Sequence, residues 1–134
     1  VDTTLPAIAA TDGAVLDLDR LDAYRVAVEF AALAARLRVT PASLRDQLDR
    51  ASASIVLNIA EGAGRPSAAD RAHFYAIARG SAFECAGVLD VLHARGALAT
   101  SAHVDARTLI VRIVQMLSRM TLRHPAALAP RARA

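Results

Sequence analysis

The 134-residue chain has no lysine, no tryptophan and a single cysteine, Cys85. One cysteine excludes an intrachain disulfide and any multi-cysteine zinc site. A chain of this length buries about two-thirds of its unfolded surface, so its fold needs no such staple. Aromatic residues are scarce at 4%, which argues against a β-sandwich built on Val, Ile, Thr and Tyr. No run of about 18 residues is both apolar and uncharged, so no segment reads as a membrane span. Residues 1–16 carry Asp2 and Asp12 and no basic n-region, so they do not read as a signal peptide. The expected compartment is the cytoplasm, with no membrane partner.

What is abundant is small and apolar. Hydrophobic residues make up 54% of the chain, and 32 of the 134 residues are Ala. Ala has the highest helix propensity and the least side chain to pack, which points to close-packed helices. Residues 1–16 have no period and contain Pro6 and Gly13, and read as an irregular arm. A first helix is expected over 17–38, with Leu18, Leu21, Tyr24, Val28, Ala31 or Ala32, and Ala35 as its apolar face. Thr40 is the expected N-cap and Pro41 the first residue of a second helix, which runs to about Glu61 on Leu44, Leu48, Ala51, Ile55 and Ile59. Gly62 suits a left-handed stop. Ser67 then caps a third helix that ends before Gly96, with Phe74, Ile77, Ala78, Ser81, Cys85, Val88, Leu89 and Leu92 inward. Gly80 inside it suggests a closely approaching neighbour helix. A fourth helix, capped by Thr100 or Ser101, is expected over 103–123. Its apolar residues Leu109, Ile110, Ile113, Val114, Met116, Leu117 and Met120 cover more than half its circumference. That surplus predicts a contact between subunits. The expected fold is an all-α, antiparallel up-down-up-down four-helix bundle over 17–124, followed by a flexible basic tail over 125–134.

All 16 basic residues are Arg, and the net charge is only +3. Residues 1–38 hold six acids and four Arg, whereas residues 97–134 hold one acid and six Arg. The two middle segments are balanced. The basic character therefore belongs to the fourth helix and its tail. Arg112, Arg119 and Arg123, with Thr108 and Gln115 between them, fall on one helical stripe, and Arg107 lies on the same helix. Such a stripe is either a solvated face near a helix C-terminus or a surface for phosphates. No aromatic residue interleaves it, so base stacking there is not expected.

Three runs carry a family resemblance. They are Gln47–Ile55, Asn58-Ile59-Ala60-Glu61-Gly62-Ala63-Gly64-Arg65-Pro66-Ser67, and Ile77-Ala78-Arg79-Gly80-Ser81-Ala82-Phe83-Glu84. Together they resemble the four-helix-bundle proteins encoded in intervening sequences of bacterial 23S ribosomal RNA genes. That family also includes the accessory variability determinant proteins of diversity-generating retroelements. The resemblance spans residues 24–98 and reaches the fourth helix by pattern alone. It departs at Asp49, where the family usually has a basic residue, and in a short first connection. It implies a ring-shaped homopentamer, with RNA or DNA and a reverse transcriptase as partners of the retroelement members, and no cofactor or enzymatic activity.

The motif residues Arg50, Asn58, Glu61, Gly62, Arg65, Arg79, Gly80 and Glu84 read as a structural or interface set, with Arg–carboxylate pairing between helices or subunits. Gly62, Gly64, Arg65 and Ser67 also fit an anion-binding loop, but a stop, a turn and a cap account for each residue alone. The four His are scattered, and none has another His at i+3 or i+4, so no metal site is expected. Cys85 reads as a small core filler. Two alternatives remain to a nucleic-acid-binding ring. One is a scaffold ring with a protein partner only. The other is a helical ribonuclease using Arg119 and His124 in an R-x4-H pattern, although His124 precedes Pro125 at a helix end.

Overall fold

The computed structural model describes residues 16–122. A short 3-10 turn, Asp17–Arg20, leads into four helices: α1 (Asp22–Arg36), α2 (Ala42–Ala63), α3 (Ala68–Ala94) and α4 (Thr100–Leu122). There is no strand among the described residues. The expected arm over 1–16 lies, but for Leu16, outside them, as does the tail over 125–134.

Each helix packs on its neighbours in the chain, and α1 also packs on α4. The core is continuous across all four. Phe30 of α1, Leu48, Ile55 and Ile59 of α2, Leu89 and Leu92 of α3, and Ile113 and Leu117 of α4 are fully buried. No helix among the described residues is long and apolar enough to cross a membrane.

The first helix is shorter than its periodicity suggests. Leu21 is extended (φ −77°, ψ 116°), which separates the 3-10 turn from α1. At the other end Leu37 is extended as well (φ −73°, ψ 113°), and the chain turns so that Val39 reaches the core. The buried face of α1 is also not the expected one. It is Ala23, Val26, Ala27, Phe30 and Ala34, while Ala32 and Ala35 are exposed and Val28 is half-buried. Alanine makes both faces apolar. Tyr24 and Val28 match Phe30 and Val26 in size, but Phe30 can be buried without a hydroxyl to satisfy, so its face turns inward against α2 and α4.

Capping follows the sequence in some places and not in others. Ser67 Oγ accepts from Asp70 N at 3.0 Å, as an N-cap side chain should. Gly96 has φ 72° and ends α3 with two reversed bonds, Ala97 N to Leu92 O at 2.8 Å and Gly96 N to His93 O at 3.0 Å. That is a Schellman motif, which glycine adopts without steric cost. Thr40 is not a cap. Pro41 occupies the capping position of α2, no side chain serves it, and Pro41 O accepts from Leu44 N and Arg45 N. Thr100 and Ser101 lie inside the first turn of α4, which starts at Thr100 rather than His103.

Two glycines depart from their expected roles. Gly62 is not a left-handed stop. It lies inside α2, buried, and the helix ends with Gly64 in a right-handed conformation (φ −82°). A Cβ on Gly62 would sit 2.8 Å from Tyr75 Cε1, 3.1 Å from Arg71 O and 3.1 Å from Phe74 Cβ. Here α3 makes the close approach that Gly80 suggested. Gly80 faces open space, with nothing within 4 Å of a Cβ built on it, and Gly87 does the same.

Candidate interaction surfaces

On α4 the residues Thr108, Arg112, Gln115 and Arg119 are all exposed, on the side away from Ala106, Ile113 and Leu117. Helical spacing puts Thr108 and Arg112, and then Gln115 and Arg119, one turn apart. No ion pair joins Arg112 or Arg119 to a carboxylate among the described residues. Arg107 differs. It stands 3.5 Å from Asp90 Oδ2, and its charge is partly offset. Arg123 and His124 lie outside the described residues, so the four-arginine set and the R-x4-H pair are each represented only in part.

The motif residues of α2 and α3 do not form one network. Gln47 donates to Glu84 at 3.1 Å, and the Ser54 and Ser81 hydroxyls share a hydrogen bond at 2.8 Å. Asn58 Nδ2 donates to Ser54 O at 2.9 Å and to its Oγ at 3.1 Å. These groups make a polar seam between α2 and α3, exposed at the Gln47–Glu84 bond and part-buried at the bonds of Ser54, Asn58 and Ser81, where it satisfies donors and acceptors. Glu61 pairs instead with Arg65, one turn on, at the surface. Arg79 Nε donates to Ser118 Oγ at 2.8 Å, and its guanidinium lies 4.8 Å over the Phe83 ring. The partner of Arg79 is thus a hydroxyl and an aromatic face on the α3–α4 side, where carboxylate pairing was expected. Arg50 is exposed.

The loop after α2 has its polar groups occupied. Arg71 Nη1 donates to Arg65 O at 3.0 Å and Pro66 O at 2.7 Å, and Ser67 Oγ serves the cap. Arg65 lies over Phe74 at 4.8 Å. These bonds are those of a stop, a turn and a cap, and they leave the Ser67 hydroxyl engaged within the chain.

One cluster is not legible from residue spacing. His93 and His103 stack with ring centroids 4.3 Å apart and planes 7° apart. His103 Nε2 meets Asp90 Oδ1 at 2.8 Å, and His93 Nε2 meets Thr100 Oγ1 at 3.2 Å. The two His are ten residues apart, and the Gly96 turn folds α4 back to bring them together. That turn was the only available signal. Among the described residues no group of three His, Cys, Asp or Glu could hold a metal ion. Cys85 is buried on α3. Burial first, and then the neighbouring Glu84 charge, push its thiol up to about 12. It therefore stays a protonated core side chain at neutral pH.

Four long helices, a polar seam and an exposed arginine row define an all-α protein whose conspicuous features lie on its surface. The sequence model for the 23S rRNA-intervening sequence protein family matches residues 19–119, and the chain belongs to that family. A crystal structure of a protein with unknown function from the S23 ribosomal protein family of Bacteroides thetaiotaomicron VPI-5482 superposes with a TM-score of 0.65. It shares 20% identity and covers 74% of this chain and 97% of that chain, a likeness of fold. No match is found among curated proteins.

Proposed function

We propose that this protein is a non-enzymatic homo-oligomer, a pentameric ring of antiparallel up-down-up-down four-helix bundles in the cytoplasm. We infer that it binds RNA or DNA, or a nucleic-acid enzyme such as the reverse transcriptase of a retroelement, through the arginine row of α4. The order of cross-helix pairs supports the antiparallel course. Gln47, Ser54 and Gly62 of α2 meet Glu84, Ser81 and Tyr75 of α3 in turn, so advancing along one helix means retreating along the other. Self-association is supported by the apolar side chains left outside the core, Phe83, Val104 and Val111. Cys85, buried and protonated, offers no nucleophile. The ring size rests on the family resemblance.

The observation that carries the binding reading is the exposed row Thr108, Arg112, Gln115 and Arg119, with two arginines free of described carboxylates. Each Arg–phosphate contact releases counterions and steepens the salt dependence, by about 0.7 in log–log slope for a single strand. Symmetry repeats the row on every subunit.

The test is fluorescence anisotropy with single-stranded RNA across a salt series. Wild-type affinity should fall steeply with salt. The Arg112→Ala/Arg119→Ala variant should lose affinity and about 1.4 in slope for each subunit engaged. Unchanged affinity and slope would remove the surface from consideration. A wild-type protein that assembles but shows no affinity at physiological salt would favour the scaffold with a protein partner.

A further inference from the structure

We propose that Leu57, on the outer face of α2, seats in the groove between α3 and α4 of a second copy, so that copies associate head to tail. This rests on the self-association reading above and names the two surfaces that carry it.

The groove has a volume of about 240 Å³, and its apolar lining includes Phe83 and Ala86 from α3 and Val111 and Val114 from α4. Phe83 is 54% exposed and Val111 45%. Both would remain wet in an isolated subunit, although each lies on a helix with ample core of its own. Arg107 stands at the margin of the groove.

The occupant is on the same chain. Leu57 is 66% exposed, more than any other described large apolar side chain on the four helices. It stands opposite the buried Ile55 and Ile59, among the exposed Asp46, Arg50, Ala53 and Glu61. A single leucine knob cannot cover itself, and a concave groove cannot fill itself. Each surface complements the other, on different helices, which makes the contact heterologous. Charge agrees with this pairing. The charged residues of α2 are two Arg and three acids, net −1, whereas α3 and α4, which wall the groove, together have five Arg and four acids, net +1. Opposite signs on the two surfaces favour their meeting over like-with-like pairing. A heterologous contact closes into a ring when its rotation divides a full turn.

The experiment measures mass by light scattering at micromolar concentration, with Leu57→Glu and Val111→Glu prepared separately. Both sites are exposed, and an unchanged helical circular dichroism spectrum with a cooperative melt shows that each variant is folded. The wild-type chain should be oligomeric and each variant alone monomeric. Mixed one to one, the variants should give a heterodimer of twice the 14.1 kDa chain mass. One variant keeps the groove and the other keeps the knob, so a single intact contact remains. A wild-type oligomer with either variant assembling normally overturns this pairing and leaves self-association standing. A mixture that stays monomeric, or grows beyond the dimer, also overturns it. A monomeric wild-type chain overturns self-association and this pairing together.

Discussion

Replacing Gly62 and Gly80 by Ala, one at a time, makes the same chemical change in two helices with opposite expected signs. In a helix interior Ala is favoured over Gly by about 1 kcal/mol, because glycine loses more backbone entropy on folding. At Gly80 nothing lies within 4 Å of the added methyl, so that gain should appear almost undiminished. Gly80→Ala should raise the melting temperature by roughly 4 °C for a domain of this size. At Gly62 the methyl would meet Tyr75 Cε1 at 2.8 Å, Phe74 Cβ at 3.1 Å and the Arg71 carbonyl oxygen at 3.1 Å. The carbonyl belongs to the backbone of α3 and the Tyr75 ring is buried, so neither yields without shifting the two helices apart. Overpacking of this kind costs about 3 kcal/mol at its upper range. After the propensity gain, a net loss of about 2 kcal/mol is expected for Gly62→Ala. Urea unfolding followed by circular dichroism at two protein concentrations would measure both effects, since any contribution from assembly appears as a concentration dependence. A Gly62→Ala variant as stable as Gly80→Ala would refute the claim that α2 and α3 touch closely at that glycine.

Two further expectations follow from local geometry. Ser67→Ala removes the side-chain acceptor for Asp70 N at the start of α3 and should cost about 1 kcal/mol in urea unfolding, whereas Thr40→Ala should change stability little because Thr40 caps nothing. Stability should also fall as pH rises above the ordinary thiol value of 9.0 toward 12, because Cys85 holds its proton more tightly when folded than when unfolded. Burial raises the Tyr75 hydroxyl as well, against a smaller lowering by Arg71, so the two groups act in the same direction. Their contribution is complete below pH 9 and is lost on the way up, and Cys85→Ala should flatten that decline in denaturant midpoint. A midpoint independent of pH across this window would contradict the burial of the thiol.

The number of helices, their breaks and two of their ends follow from local chemistry in the chain itself. A 3.6-residue apolar period, Ser67 as a hydroxyl cap and Gly96 in a left-handed turn act within a few residues of where they stand, and each is where the sequence puts it. The inward faces of α2 and α4 are legible for the same reason, since one side of each helix is clearly more apolar than the other. On the Ala-rich α1 local pattern is ambiguous, and contact with α2 and α4 selects Phe30 and Val26 over the alternative face. The candidate surfaces divide in the same way. The exposed Arg112 and Arg119 row can be read from spacing along one helix. The hydroxyl partner of Arg79, the stacked His93 and His103 and the groove beside Phe83 cannot, because each needs two helices brought together in register. Gly62 and Gly80 show the division most sharply. Sequence alone determined that a glycine stands in each helix. Only the packing of α3 on α2 decided that Gly62 is the point of contact and that Gly80 faces open space, because steric crowding at a Cβ depends on the neighbouring helix.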